Sequence, residues 1–120
     1  MKVNETFISI QGEGPFAGTR CLFIRFSGCN LLCPFCDSVY ANGVYMNTSI
    51  SELVLLIKRS QAKQGINMVV FTGGEPTLYV NEIIDVMKRV DVPIDYGIET
   101  NGRIVPSLSF ISKFKACAIS

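Results

Sequence analysis

The sequence predicts an α/β fold on a parallel sheet, and three observations carry that expectation. Segments with strand character alternate with segments of helical periodicity, the grammar of a βα repeat. Residues 66–72 form a near-continuous apolar run, the pattern of a strand buried on both faces. The glycine-rich polar segments follow the ends of the strand candidates, where such folds place their ligand sites.

Taken in order, the first strand candidate covers residues 5–10, with alternating side chains, and stops at the glycines of Gln11-Gly12-Glu13-Gly14-Pro15. A stronger strand covers residues 21–26 and runs into Ser27-Gly28 and a cysteine cluster. Residues 37–48 read as an irregular loop with a turn at Asn42-Gly43. Ser49-Ile50-Ser51-Glu52 fits a capping box, and Ile50, Leu53, Val54 and Ile57 recur at helical spacing behind it. These predict a helix over 50–64 with Gly65 as its C-cap. The apolar run at 66–72 ends in Gly73-Gly74-Glu75-Pro76. A second helix is expected with Asn81 as N-cap and with Ile83, Ile84, Met87 and Val90 on one face. Residues 94–99 read as another parallel strand, leading into Thr100-Asn101-Gly102. A short helix over 107–113 and a strand over 116–119 close the chain.

The chain has 120 residues, enough for one domain. Its 48% hydrophobic, 18% charged and 10% aromatic composition is that of a folded chain, not a disordered one. Eleven basic against ten acidic residues give a net charge of +1, so no nucleic-acid footprint is expected. The polar N-terminus and short apolar runs predict neither a signal peptide nor a membrane partner. Histidine is absent. That excludes Ser-His and Cys-His nucleophile pairs and any zinc site with a histidine ligand.

Five cysteines remain, and Cys29, Cys33 and Cys36 fall within eight residues. An odd number, clustered, points to metal or redox work in a reducing, cytoplasmic setting rather than to a disulfide framework. The spacing C-x3-C-x2-C on a loop after a strand suits three thiolates on an iron–sulfur cube with one iron open to an exogenous ligand. Zinc with Cys21 or Cys117 as fourth ligand is the alternative. Those two, each set among apolar neighbours in a strand candidate, read more simply as small core residues.

C-x3-C-x-aromatic-C, with Phe35 as the aromatic, resembles the cluster loop of the radical S-adenosylmethionine superfamily. Gly73-Gly74-Glu75-Pro76 is similar to its methionine-binding motif. The segments Phe7-Ile8-Ser9-Ile10-Gln11-Gly12-Glu13-Gly14, Phe23-Ile24-Arg25, Gly28-Cys29-Asn30-Leu31, Cys36-Asp37-Ser38 and Glu99-Thr100-Asn101-Gly102 resemble, within it, the 7-carboxy-7-deazaguanine synthase family. One departure is Ser38, where the family usually has threonine.

The resemblance implies a partial (β/α) barrel of the radical S-adenosylmethionine type, of about six units and roughly 190 residues at about 30 per unit. On that count residues 1–120 are expected to be a single core domain, incomplete at its C-terminal side and ending about the fourth barrel strand. The implied cofactors are one [4Fe–4S] cluster on Cys29, Cys33 and Cys36, S-adenosylmethionine, and Mg2+ at Ser38. The cofactor would meet Phe35, Cys36, Asp37, Gly73, Gly74, Glu75, Glu99 and Asn101. The implied substrate, 6-carboxy-5,6,7,8-tetrahydropterin, would meet Ile10, Gln11, Gly12, Glu13, Arg25 and Thr72. No side chain is implied as catalyst, since a radical made from the cofactor carries the chemistry. The implied reaction is a ring contraction to 7-carboxy-7-deazaguanine with loss of ammonia, on the way to nucleosides such as queuosine. The implied partners are an electron donor such as flavodoxin or ferredoxin and a second copy of the chain.

Plainer readings stand beside these. Arg25, a charge in mid-strand, could pair with Glu13 instead of a ligand. Gly73-Gly74 could be a bare turn, Glu99 and Asn101 could belong to a turn at Asn101-Gly102, and Asp37 could be a turn residue. At the level of function the alternatives are an enzyme that installs a glycyl radical on a partner protein, a small zinc or redox protein, and an inactive shortened relative. The first has no need of Gln11 and Glu13.

Overall fold

The computed structural model describes residues 1–12, 14–28, 45–102 and 106–119. Strands β1 (Lys2–Ile10), β2 (Arg20–Phe26), β3 (Met46–Asn47), β4 (Met68–Gly73), β5 (Asp95–Thr100) and β6 (Ala116–Ile119) form one sheet in the order β3-β1-β2-β4-β5-β6. Helices α1 (Ile50–Gln64), α2 (Val80–Arg89) and α3 (Leu108–Ile111) supply the connections between β3 and β4, β4 and β5, and β5 and β6. β2, β4, β5 and β6 are mutually parallel, as the alternating pattern predicts. β1 runs antiparallel to both its neighbours. The sheet is open, four parallel strands of a partial barrel with a β1–β2 hairpin on one side.

The elements form for local reasons. The Ser49 hydroxyl accepts the Glu52 amide at 3.1 Å and starts α1 where the capping box predicts. Gly65 ends it in the left-handed conformation, its amide bonded to Gln61 and that of Ile66 to Ser60. Asn81 is not an N-cap, because the chain turns earlier. Pro76 opens a 3₁₀ turn over Pro76–Tyr79, the Glu75 carboxylate accepts the Thr77 amide at 3.1 Å, and α2 continues from Val80. The strand bounds differ by one to three residues from the sequence reading, with β1 starting at Lys2, β4 reaching Gly73 and β5 reaching Thr100. Met46–Asn47, expected as loop, pairs with β1 as β3 because the neighbouring strand offers it a free edge.

Strand alternation divides the sheet into two unlike faces. One packs under the helices, where Leu22, Ile24, Phe26, Val69, Phe71 and Ile98 meet Leu53, Ile57, Ile83, Val86 and Phe110. Phe26, Phe71 and Tyr96 stack as a ladder across β2, β4 and β5, with centroids 6.1 and 6.0 Å apart. Burying side chains of this size contributes about 1.5–3 kcal/mol each. The other face has a smaller apolar cluster of Cys21, Phe23, Met68 and Val70, with Phe7 and Phe16 against it. Cys21 is buried there, as read, whereas Cys117 is exposed, because β6 pairs on one side only among the described residues. This second face carries the charged groups of the site.

Candidate active site

Two structures meet on the sheet: a knot at the strand ends and a cleft on the face away from the helices. The knot is centred on Glu75, whose side chain is fully buried. One carboxylate oxygen accepts the Thr77 amide and the hydroxyls of Thr77 and Thr100, and the other accepts the Asn101 amide at 2.7 Å. A buried carboxylate is tolerated when hydrogen bonds replace its hydration. This one thereby ties the loop after β4 to the end of β5.

The same loop is pressed against the end of β2. The Gly74 amide donates to the Phe26 carbonyl at 2.8 Å, and the Tyr79 hydroxyl to the Ser27 carbonyl at 3.2 Å. Gly73 has a φ of +99°, and a Cβ on it would strike the Phe26 backbone; one on Gly74 would overlap the Gly28 carbonyl. The two glycines are required by this close approach of one strand end to another, whatever ligand they also meet. Gly28, the residue before the first clustered cysteine, is thereby held against the Gly73-Gly74-Glu75 motif.

The cleft, about 300 Å³, is lined by Phe7, Ser9, Ile10, Gln11, Gly12, Phe23, Arg25, Thr72 and Glu99. It lies at the lower end of the usual range for small-molecule sites. Phe7 and Phe23 stack at 5.2 Å on its floor. Arg25 lies with its guanidinium carbon 5.4 Å from the Phe7 ring centroid, and its Nε donates to Glu5 Oε1 at 3.0 Å. Thr72 donates its hydroxyl to Glu99 Oε1 at 2.7 Å. Gln11 is buried and Ile10 exposed on the rim. Burial pushes the Cys21 thiol up from its ordinary pKa, the Gln11 backbone bond offsets part of this, and the Glu99 charge adds to it.

Of the residues read from the sequence, Ile10, Gln11, Gly12, Arg25 and Thr72 are brought together in this cleft. Glu99 joins them there, while Asn101, expected beside it, stands at the Glu75 knot. Gly73, Gly74 and Glu75 sit at the strand ends. Cys29, Cys33, Phe35, Cys36, Asp37, Ser38 and Glu13 lie outside the described residues. Among the described residues Arg25 has its ion pair with Glu5. Sequence reasoning missed Glu5, Thr77 and Thr100. The Thr-Asn that follows Glu99 was a usable signal for Thr100; Glu5 had none, since its place depends on strand register.

A parallel α/β sheet left open as a partial barrel, with polar groups at its strand ends and in a cleft beside them, is the architecture of an α/β protein that binds ligands at its strand ends. Residues 23–118 match the radical SAM superfamily, and the chain belongs to it. Membership implies S-adenosylmethionine and a [4Fe–4S] cluster. The chain is 41% identical over 112 residues to 7-carboxy-7-deazaguanine synthase of Hyperthermus butylicus, covering 89% of this chain and 45% of that one. It is 42% identical over 104 residues to the same enzyme of Thermoplasma acidophilum, covering 87% and 48%. The crystal structure of QueE from Escherichia coli superimposes with a TM-score of 0.64 at 28% identity, over 84% of this chain and 52% of that one. The chain thus spans about half the length of these relatives.

The residues present fit the implied groups. Three thiolates at C-x3-C-x2-C spacing are the donor set of a cluster with one open iron. At the strand ends the buried Glu75, which already accepts four hydrogen bonds, holds the loop that carries Gly73 and Gly74 in place.

Proposed function

We propose that this chain carries the active site of a 7-carboxy-7-deazaguanine synthase, contracting the ring of 6-carboxy-5,6,7,8-tetrahydropterin to 7-carboxy-7-deazaguanine with loss of ammonia. The product would serve queuosine or related deazapurine synthesis in the cytoplasm. The observation that carries this reading is the single cleft joining Gln11, Gly12, Arg25, Thr72 and Glu99 beside the Gly73-Gly74-Glu75 strand end. Such a cleft offers what a carboxypterin needs: a cation for the carboxylate, polar groups for the heterocycle edge and an aromatic floor.

In this reading Cys29, Cys33 and Cys36 would hold the cluster, and the Ser38 hydroxyl would be an oxygen donor for Mg2+, a metal that prefers oxygen ligands. The chemistry such a cluster would supply, once bound, is one-electron reduction of S-adenosylmethionine. Phe35, Cys36, Asp37, Gly73, Gly74, Glu75 and Asn101 orient that cofactor. Arg25 takes the pterin carboxylate, and Gln11, Gly12 and Glu13 read the ring with Ile10 over the rim. Thr72 fixes Glu99, which faces the cleft, so we assign Glu99 to the substrate side rather than to the cofactor ribose. The residues do their work by placing the substrate and keeping water away from the reacting carbon. The reductant would be a flavodoxin or ferredoxin, and the working unit a homodimer.

The test is anaerobic reconstitution of the chain, followed by incubation with S-adenosylmethionine, Mg2+, a reductant and the carboxytetrahydropterin. The expected result is 7-carboxy-7-deazaguanine formed over many turnovers per S-adenosylmethionine. Tight substrate binding without product, under conditions that cleave the cofactor, rejects the reading.

A further inference from the structure

β1 and β2 are out of simple register at one point. Val3 faces Phe26, yet Glu5 faces Arg25, so Asn4 and Glu5 together span one residue of the partner strand. Without that bulge strict alternation would put Asn4 opposite Arg25 and turn Glu5 toward the helices. The bulge re-aims Glu5 onto the cleft face, beside the guanidinium.

Glu5 does not itself line the cleft, whereas Arg25 does. The contact is partly exposed, 24% for the Arg25 side chain and 43% for Glu5. As a plain surface ion pair it would contribute little to stability. Its geometry does more. The carboxylate holds Nε at 3.0 Å while the Phe7 ring lies against the guanidinium, and Phe7 is itself stacked on Phe23. A guanidinium pinned at Nε and lying on a ring has little rotational freedom left. With Nε taken by Glu5, a two-toothed pairing with a second carboxylate would have to use the Nη1–Nη2 end, and such a pairing requires a fixed plane.

Resting on the reading of Arg25 as the partner of the substrate carboxylate, we propose that Glu5 is a positioning residue, placed by the β1 bulge to aim the Arg25 guanidinium into the cleft. Glu5 is thus a determinant of specificity for carboxylated pterins while touching none of the substrate.

The test measures binding of 6-carboxypterin and of unsubstituted pterin, by fluorescence quenching, to the cluster-reconstituted chain with S-adenosylmethionine and no reductant. Wild type is expected to prefer 6-carboxypterin, and Arg25→Gln to lose that preference. Glu5→Ala should bind 6-carboxypterin about tenfold more weakly with pterin unchanged, a factor of ten being about 1.4 kcal/mol. Glu5→Gln, whose amide oxygen still accepts from Nε, should keep most of the preference. Three results overturn the proposal: an unaltered preference in Glu5→Ala, equal losses for both ligands (a structural role), or tighter 6-carboxypterin binding in both Glu5 variants (a purely repulsive charge). If wild type shows no preference, or Arg25→Gln retains it, the carboxylate assignment of Arg25 fails and takes this inference with it. The Arg25 arm tells the two failures apart.

Discussion

The Thr100 hydroxyl donates to the Glu75 carboxylate across 25 residues of sequence, joining the end of β5 to the loop that follows β4. Two strand ends that the sequence presents as separate motifs, Gly73-Gly74-Glu75-Pro76 and Glu99-Thr100-Asn101-Gly102, are therefore one unit. Anything that disturbs one disturbs the other.

Thr100→Val keeps the shape of the side chain and removes the donor. Glu75 is fully buried, so its carboxylate loses a bond that water cannot replace. The expected cost is about 1.5–3 kcal/mol, the usual worth of a hydrogen bond to a charged group, read by urea unfolding. S-adenosylmethionine affinity should fall with it, while pterin binding in the cleft persists. Unchanged stability in Thr100→Val would show that the knot has another support.

Gly74→Ala tests the approach of the two strand ends. The added methyl overlaps the Gly28 carbonyl, and backbone has no rotamer with which to give way. Overpacking of this kind costs about 1–3 kcal/mol. Cofactor binding, measured by calorimetry on the reconstituted chain, should weaken as well, by about tenfold if about 1.4 kcal/mol of that cost falls on the bound state. A variant as stable and as tight as wild type would mean that the ends are not held together.

Tyr96 gives a prediction in pH. Its hydroxyl is buried with no hydrogen-bond partner among the described residues, and burial pushes its pKa up from 10.0 to about 12. The folded state then holds this proton more tightly than the unfolded state. The stabilisation is present below pH 10 and is lost as pH rises toward 12. Tyr96→Phe should be neutral or slightly stabilising at pH 7, because it removes an unpaired polar atom. It should also flatten the loss of stability above pH 10, by about 3 kcal/mol at most. An alkaline unfolding curve identical to wild type would contradict the assignment.

Cys21 and Cys33 call for opposite outcomes. Cys21 is buried with its thiol pushed up and donating to the Thr19 carbonyl at 3.3 Å, so it serves as a core residue. Cys21→Ala should leave the reconstituted iron content at about four per chain, and Cys33→Ala should lose the cluster chromophore. The opposite pattern would exchange the roles of the two residues.

Helix α1 and the parallel run of strands were legible because their signals are local. A capping serine, a C-terminal glycine and an unbroken apolar run each declare themselves within a few residues. The antiparallel course of β1 was not legible, since strand direction is set by pairing at long range. The start of α2 was misplaced for a related reason. Asn81 is a good cap in isolation, but the buried Glu75 had already begun the turn from outside it. At the site, the resemblance to a known family pointed to Gln11, Gly12, Arg25 and Thr72, which the cleft brings together, whereas Glu5 and Thr100 needed register and packing. Glu99 parts from Asn101 because β5 ends at Thr100 and the Asn101 backbone amide turns to Glu75, a pairing 26 residues distant in sequence.

The central claim is that this cleft and these strand ends together perform the ring contraction. It is tested most directly by anaerobic turnover of the reconstituted chain with 6-carboxy-5,6,7,8-tetrahydropterin, followed by mass spectrometry. The account predicts 7-carboxy-7-deazaguanine and one ammonia per product, lost in both Cys33→Ala and Arg25→Gln. Cofactor cleavage with the pterin bound but recovered unchanged would contradict it.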